Sequence, residues 1–421
     1  MLELLKYELK KIVMRKSARY TCLAVLVALC GIMALNVVQT KTTNNTGEVL
    51  SGFDAIHYRQ DSAAAHEGTL TDERISQELE SYYNVTFEKI DPEELAQMSG
   101  SAAYDTITRL YDGQTVQFIY DDYFSWLIRP WAPYSGMEPT QVSAFIGAHP
   151  DTTLEEALAS LAQRTLDANM QGAWTYSDSE RAFWTAKQAE VTHPLSYGYA
   201  GGWSNVIDCI AFVSFAILAV CVALAPVFAG EYADRTDSVL LSSRYGRTRL
   251  LTAKILASLL FAAGYFALCA LTICGVSLAA YGAGGADLPV QVLAMGSPYD
   301  ITVSQAALIS VGLAFLMTMG FAGLTLLLSS RLRSMLAVFV IDAALVLVTG
   351  MIPTGGIGIL QHILYLFPTS LSAPALFWSY TSYPVGGFAT DVIGAIAMLY
   401  LSLVVVCVPL AAVSFRRHQV A

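Results

Sequence analysis

The sequence is poor in charge and has no nucleotide-binding signature. Of 421 residues, 14% are Asp, Glu, Lys or Arg and 55% are hydrophobic, and the mean hydropathy is +0.49; soluble globular domains do not have this profile. GxxxxGK[ST] is missing, so the chain has no phosphate-cradling loop with its lysine and hydroxyl, and any ATP that is used must be bound by another chain. There is no Ser-His-Asp arrangement, no HExxH and no carboxylate pair within an apolar run, which leaves intramembrane catalysis without residues. The six His are scattered, with no metal-ligand spacing.

Cysteine is missing where it would stabilise an exported domain. All seven Cys (Cys22, Cys30, Cys209, Cys221, Cys269, Cys274, Cys407) fall in or beside apolar runs, and none lies between Thr40 and Ser204. A disulfide scaffold is excluded for that stretch. The absence suits a bacterium that does not rely on oxidative folding outside the cell, which points to a Gram-positive source.

Apolar runs are plentiful. Crossing a bilayer takes about 20 residues, and six such spans are expected at roughly 19–38, 206–229, 252–280, 304–329, 335–352 and 389–412. An even number puts both termini on one side. Fifteen of the 24 Lys and Arg lie in four short segments of one face: Lys6 to Arg19, Arg235 to Lys254, Arg331 with Arg333, and Arg416 with Arg417. The positive-inside bias makes that face cytoplasmic. The other nine lie in the insertion between Thr40 and Ser204 together with 24 acids, so the insertion is expected outside. With the basic charge at the inner membrane surface, a nucleic-acid partner has no support.

The expected fold is an all-α membrane protein of six transmembrane helices, with a large, mainly helical extracellular domain between the first and second. Residues 1–18 form an interfacial helix, with Leu2, Leu5, Leu9, Ile12 and Val13 at helical spacing beside Lys6, Lys10, Lys11 and Arg15. Residues 19–38 are a retained anchor, since Val37, Val38 and Gln39 offer no small-residue cleavage site. Residues 39–204 are the extracellular domain, with helix starts at Asp91-Pro92, at Thr152 with Glu155, at Ser177 with Glu180, and in TDERISQELESYYNV. Residues 205–415 carry the remaining spans, and 416–421 form a cytoplasmic tail. Aromatics crowd into 117–136 and 193–205; the first set reads as core plus interfacial belt, with a binding groove as the alternative, and Tyr197, Tyr199 and Trp203 read first as membrane-interface anchors. Between 353 and 388 prolines and glycines break an apolar run, as short re-entrant or interfacial helices would.

Two places carry functional candidates. Asp342 is the one acid well inside a span, roughly 12 Å deep at 1.5 Å per residue. It is either functional, or it serves assembly by reaching Arg331, Arg333 or water. The second place is AGEYADRTDSVLLSSRYGRTRLLTAK, residues 229–254. There Asp234 and Asp237 would open a short helix, Val239, Leu240 and Leu241 give it an apolar patch, Arg244 closes it and Gly246 stops it, an arrangement that complements the helix dipole. Glu231, Arg247 and Lys254 flank it.

This segment resembles the permease subunits of type-2 ABC exporters, in which a Glu after the second span is followed by a short helix ending in a leucine pair, hydroxyl residues, and an Arg with a Lys seven positions on. Here those are Glu231, Leu240, Leu241, Ser242, Ser243, Arg247 and Lys254. Arg235 and Arg244 depart from the pattern, standing where Gly and Pro are common. The resemblance implies a coupling helix over 231–247 that contacts cytoplasmic ABC ATPase subunits, which hold ATP and Mg; the chain itself needs no cofactor. It also implies a second permease copy or a paralogue within the lipid bilayer. The cargo expected from apolar spans is an amphipathic or hydrophobic peptide, lipid or drug, as in resistance to an antimicrobial peptide. A stand-alone secondary transporter and a sensor or scaffold with a ligand-binding exterior domain are the alternatives.

Overall fold

A computed structural model describes residues 1–44, 48–132, 139–148, 153–171, 175–236, 239, 242–243, 245–352 and 358–417. The chain is mainly helical, and among these residues five helices are long and apolar enough to cross a membrane: Lys16–Gln39, Gly201–Ala233, Gly246–Tyr281, Val303–Arg331 and Val392–Arg417. Helices apolar on all sides are stable only inside a core or in lipid. The second is the hub, with 72% of its most apolar window buried, against 17% for the first and 22% for the C-terminal one. Where a fifth span is expected there is a shorter apolar helix, Met335–Met351, whose middle is a π-helical turn, Ala344–Val348. At 1.5 Å per residue it covers about 25 Å, less than a bilayer core of about 30 Å.

The second helix is interrupted by a 3-10 turn at Ile210–Phe212 and broken again at Pro226, which has no N–H to donate. Ser329 of the fourth helix covers the break. Its hydroxyl donates to the Ala225 carbonyl at 2.7 Å and accepts from the N–H groups of Phe228 and Ala229, both at 3.0 Å. A side chain from a neighbouring helix thus satisfies backbone groups that lipid could not.

At the end away from the clustered bases, side-chain amides and hydroxyls bind the first three helices together. Asn36 Oδ1 accepts from Asn205 Nδ2 at 2.8 Å and from the Tyr281 hydroxyl at 2.9 Å, while Asn205 Oδ1 accepts from Ser277 at 2.8 Å.

The polar insertion after the first helix folds around its own core, in which Tyr82, Tyr123, Phe124, Leu127 and Trp131 are buried. Its helix starts follow their side chains. Thr71 and Asp91 accept from the N–H groups of Arg74 and Glu93, and Ser177 with Glu180 forms a full capping box. One start is shifted. Thr152 lies outside the described residues, and the reciprocal bonds are made by Thr153 with Glu156, at 3.0 and 3.3 Å.

The insertion is fastened to the membrane helices by Lys187, whose ammonium bonds Asp391 at 2.6 Å and lies 3.8 Å from the centre of the Tyr299 ring. Asp391 also accepts from the Tyr299 hydroxyl and caps the start of the C-terminal helix at Gly394. Tyr197, expected at a membrane interface, instead packs against Tyr123 and Trp126.

Three two-stranded antiparallel ribbons are the only strands among the described residues. One of them, Ser382–Val385 with Phe388–Asp391, ends the broken segment after residue 353 in a hairpin that the sequence reading does not include. Its turn is Gly386-Gly387, both at positive φ, the two-residue geometry that suits hairpin twist.

Candidate functional site

The N-terminal helix, Leu2–Met14, turns more than apolar residues toward the protein. Glu8 and Ile12 are buried, Leu5 and Leu9 are partly buried against the core, and Lys11 lies on the same face one turn on. This helix packs along the third one, where Lys254 is 3% exposed. The Lys254 ammonium donates to Glu8 Oε2 at 3.1 Å and to Glu231 Oε1 at 2.8 Å. Lys11 reaches the same Glu231 oxygen at 2.6 Å, and Thr236 donates to the other. Glu8 and Glu231 are 5% and 7% exposed. The result is one buried lysine between two buried carboxylates, with a second, half-exposed lysine closing the set.

Charges this buried persist only when paired and hydrogen-bonded. Burial is the largest single influence and would lower the Lys11 pKa, but the hydrogen bond to Glu231 and the charges of Glu231 and Glu8 together outweigh it, so the ammonium is raised above its usual 10.5. The stabilisation from Lys11 is therefore fully present below pH 10.5 and is lost as the pH rises through the higher folded-state value.

The cluster joins three parts of the chain: the N-terminal helix, the end of the second spanning helix and the start of the third. Of the residues singled out by sequence, it brings together Glu231 and Lys254. Arg247 does not join them and is exposed on a π-helical turn, Gly246–Leu250. Two expectations are corrected. Asp234 does not open a new helix; it closes Pro226–Ala233 as its C-cap, because the second spanning helix runs on past residue 229 and the chain reverses only at Arg235, which has φ 55°. Gly246 does not stop a helix but begins the π-turn that leads into the third one. Asp237, Leu240, Leu241 and Arg244 lie outside the described residues. Their neighbour Val239 is 70% exposed.

Sequence reasoning missed Glu8, Lys11 and Thr236 as partners. A signal was available for Glu8, an acid spaced with Leu5, Leu9 and Ile12 on the apolar side of a lysine-rich helix.

Asp342 is fully buried, and neither Arg331 nor Arg333 pairs with it. Thr325 of the fourth helix donates to its Oδ2 at 2.8 Å and lies 3.3 Å from the Cys221 sulfur of the second. The acid is thus held by a hydroxyl that also touches a thiol, where three helices meet. Thr325→Val keeps the shape and removes the donor, so a loss of about 1–3 kcal/mol is expected, read from thermal unfolding in detergent. Thr318→Val is the control, since that buried hydroxyl bonds only its own helix at Ala314; equal losses in the two variants would show that Asp342 plays no part.

No curated protein and no solved structure matches the chain. A family model described as ABC-2 family transporter protein matches residues 2–420, a span that takes in the buried ion cluster, all five long apolar helices and the insertion. On that extent, the chain belongs to the ABC-2 family of membrane transporter proteins.

Proposed function

We propose that the chain is the membrane-spanning permease of an ABC exporter, working as a pair of permeases with two cytoplasmic ATPase subunits that bind ATP and Mg. In this reading Met335–Met351 is the fifth of six spans, the basic face and both termini are cytoplasmic, and the acidic insertion is extracellular. The segment from Asp234 to Arg247, which includes Leu240 and Leu241, docks on the ATPase. The observation that carries it, beyond family membership, is the buried cluster of Glu231, Lys254, Lys11 and Glu8. Both ends of the docking segment are clamped by it to the second and third helices, so a push on the segment moves those helices as a unit. Switching between inward and outward states then follows from rigid-body tilting rather than from local rearrangement. The cargo is an amphipathic or hydrophobic molecule, in keeping with apolar spans.

The test is purification of the membrane protein with its native neighbours. An ABC ATPase is expected to come with it, and Leu240→Asp is expected to lower the bound fraction at least tenfold without loss of folded permease. If no ATPase accompanies the wild type, the exporter reading fails. If one stays equally bound and active after both Leu240→Asp and Glu231→Ala, the segment is not the coupler.

A further inference from the structure

The polar insertion meets the start of the second spanning helix at a cavity of about 460 Å³, within the range of small-ligand sites. Six tyrosines line it: Tyr58, Tyr104, Tyr120, Tyr123, Tyr197 and Tyr199. Four of these form two pairs with steeply inclined rings. Tyr104 and Tyr120 are 5.2 Å apart at 62°, and Tyr123 and Tyr197 are 4.6 Å apart at 63°; Tyr123 is buried with a face stacked on His66, which leaves the exposed Tyr104 ring and the partly exposed Tyr120 and Tyr197 rings to meet a ligand. Asp121 and Asp122 line the same cavity. Tyr58, Ser62, Gln117 and Asp121 also line a second lobe of about 520 Å³ that includes Asp61. Three carboxylates therefore stand against one guanidinium, Arg59, which bonds the Lys41 carbonyl at 2.7 Å.

No Lys or Arg among the described residues pairs with Asp121 or Asp122. Asp121 accepts from the Tyr123 N–H at 2.8 Å and from Ser62 at 3.5 Å, with His66 stacked on the neighbouring Tyr123 ring. Burial raises its pKa above the ordinary carboxylate value, a penalty that a bound cation would relieve. Ring faces at different angles beside carboxylates that outnumber the nearby guanidinium are the elements that recognise an ammonium group whose charge is spread over methyl groups.

We propose that this cleft is a binding site for an organic ammonium group, held by the tyrosine faces and by Asp121 and Asp122. The proposal does not rest on the exporter reading, because occupancy is read by binding alone. The cleft reaches Gly201 and Ser204, in the first turns of the second spanning helix, so both a soluble cation and a lipid headgroup have access to it.

The experiment is calorimetric titration of the full-length chain in phosphatidylglycerol nanodiscs with choline and with its uncharged isostere 3,3-dimethyl-1-butanol. Saturable choline binding is expected, with the isostere at least tenfold weaker. Tyr104→Leu, at a half-exposed ring, is expected to weaken choline about three- to tenfold. Asp121→Asn with Asp122→Asn should weaken it at least tenfold; asparagine still caps the helix that Asp121 starts, and Asp122→Asn alone, at an exposed position, tests the charge if the double variant does not fold. Repeating the titration in phosphatidylcholine nanodiscs identifies the source: loss of choline binding there shows that the headgroup fills the cleft, and retention shows a soluble cation. The proposal is overturned by absence of saturable binding in phosphatidylglycerol, by equal binding of the isostere, or by choline binding that the aspartate substitutions leave unchanged.

Discussion

Lys254→Met is expected to destabilise the protein by about 3–5 kcal/mol, the usual cost of removing one partner from a buried ion pair. Methionine matches the length of the aliphatic stem, so packing is nearly conserved and the loss is electrostatic. Glu8 would be left with no ion-pair partner among the described residues, and Glu231 would retain only Lys11. The effect is separable from general damage, because Glu8→Gln in the same chain removes the orphaned charge. The double variant should recover a substantial part of the loss, a coupling that independent sites do not show. The measurement is the unfolding midpoint of the four proteins in one detergent. A Lys254→Met protein within about 1 kcal/mol of wild type would mean that the cluster does not hold the three helices together. If the exporter reading is right, the ATPase activity of the complex should fall in Lys254→Met and stay low in the double variant, which recovers stability without restoring the contact between Lys254 and Glu231.

What was legible in the sequence follows from the range of the interactions. Apolar runs and capping residues act locally, so the long helices and most helix starts can be read from neighbouring letters. Thr153 was misread by one position because two threonines stand together and each has a Glu three residues on. The partnership of Glu231 with Lys254 was visible only as a motif spacing; nothing local says that Lys11, 220 residues away in sequence, completes it. The same holds for Lys187 and Asp391, which are joined by folding of the whole insertion onto the membrane helices. Tyr120, Tyr123 and Tyr197 read as core and interface because aromatic content is ambiguous. Only the ring angles and the cavity between them indicate a cleft.

Gly202→Ala is expected to be the most damaging of the single-methyl additions that the spanning helices invite. Gly202 lies in the first turn of the second spanning helix, where a Cβ would fall inside the van der Waals boundary of the Gly282 carbonyl oxygen and 3.2 Å from a Leu278 methyl. A flexible side chain could swing away, but here the obstruction is backbone. Gly282 has φ +90° and closes the third helix with its N–H bonded to the Leu278 carbonyl, so it is fixed by the geometry of that helix end. Moving it would pull Tyr281 from Asn36 and Thr40 and the Ala283 carbonyl from Trp203. Overpacking costs about 1–3 kcal/mol where neighbours can yield, and the upper end of that range or beyond is expected where several contacts must break together. Gly264→Ala, within the third helix, is the matched control: a Cβ there meets nothing within 4 Å, and alanine favours helix. The Gly202 variant should unfold at a clearly lower temperature while the Gly264 variant matches or exceeds wild type. Choline affinity should also fall in the first, since Gly201 lines the cleft beside it. Equal melting of the two variants would show that the second and third helices do not meet at this glycine, and the position assigned to the insertion above them would have to be redrawn.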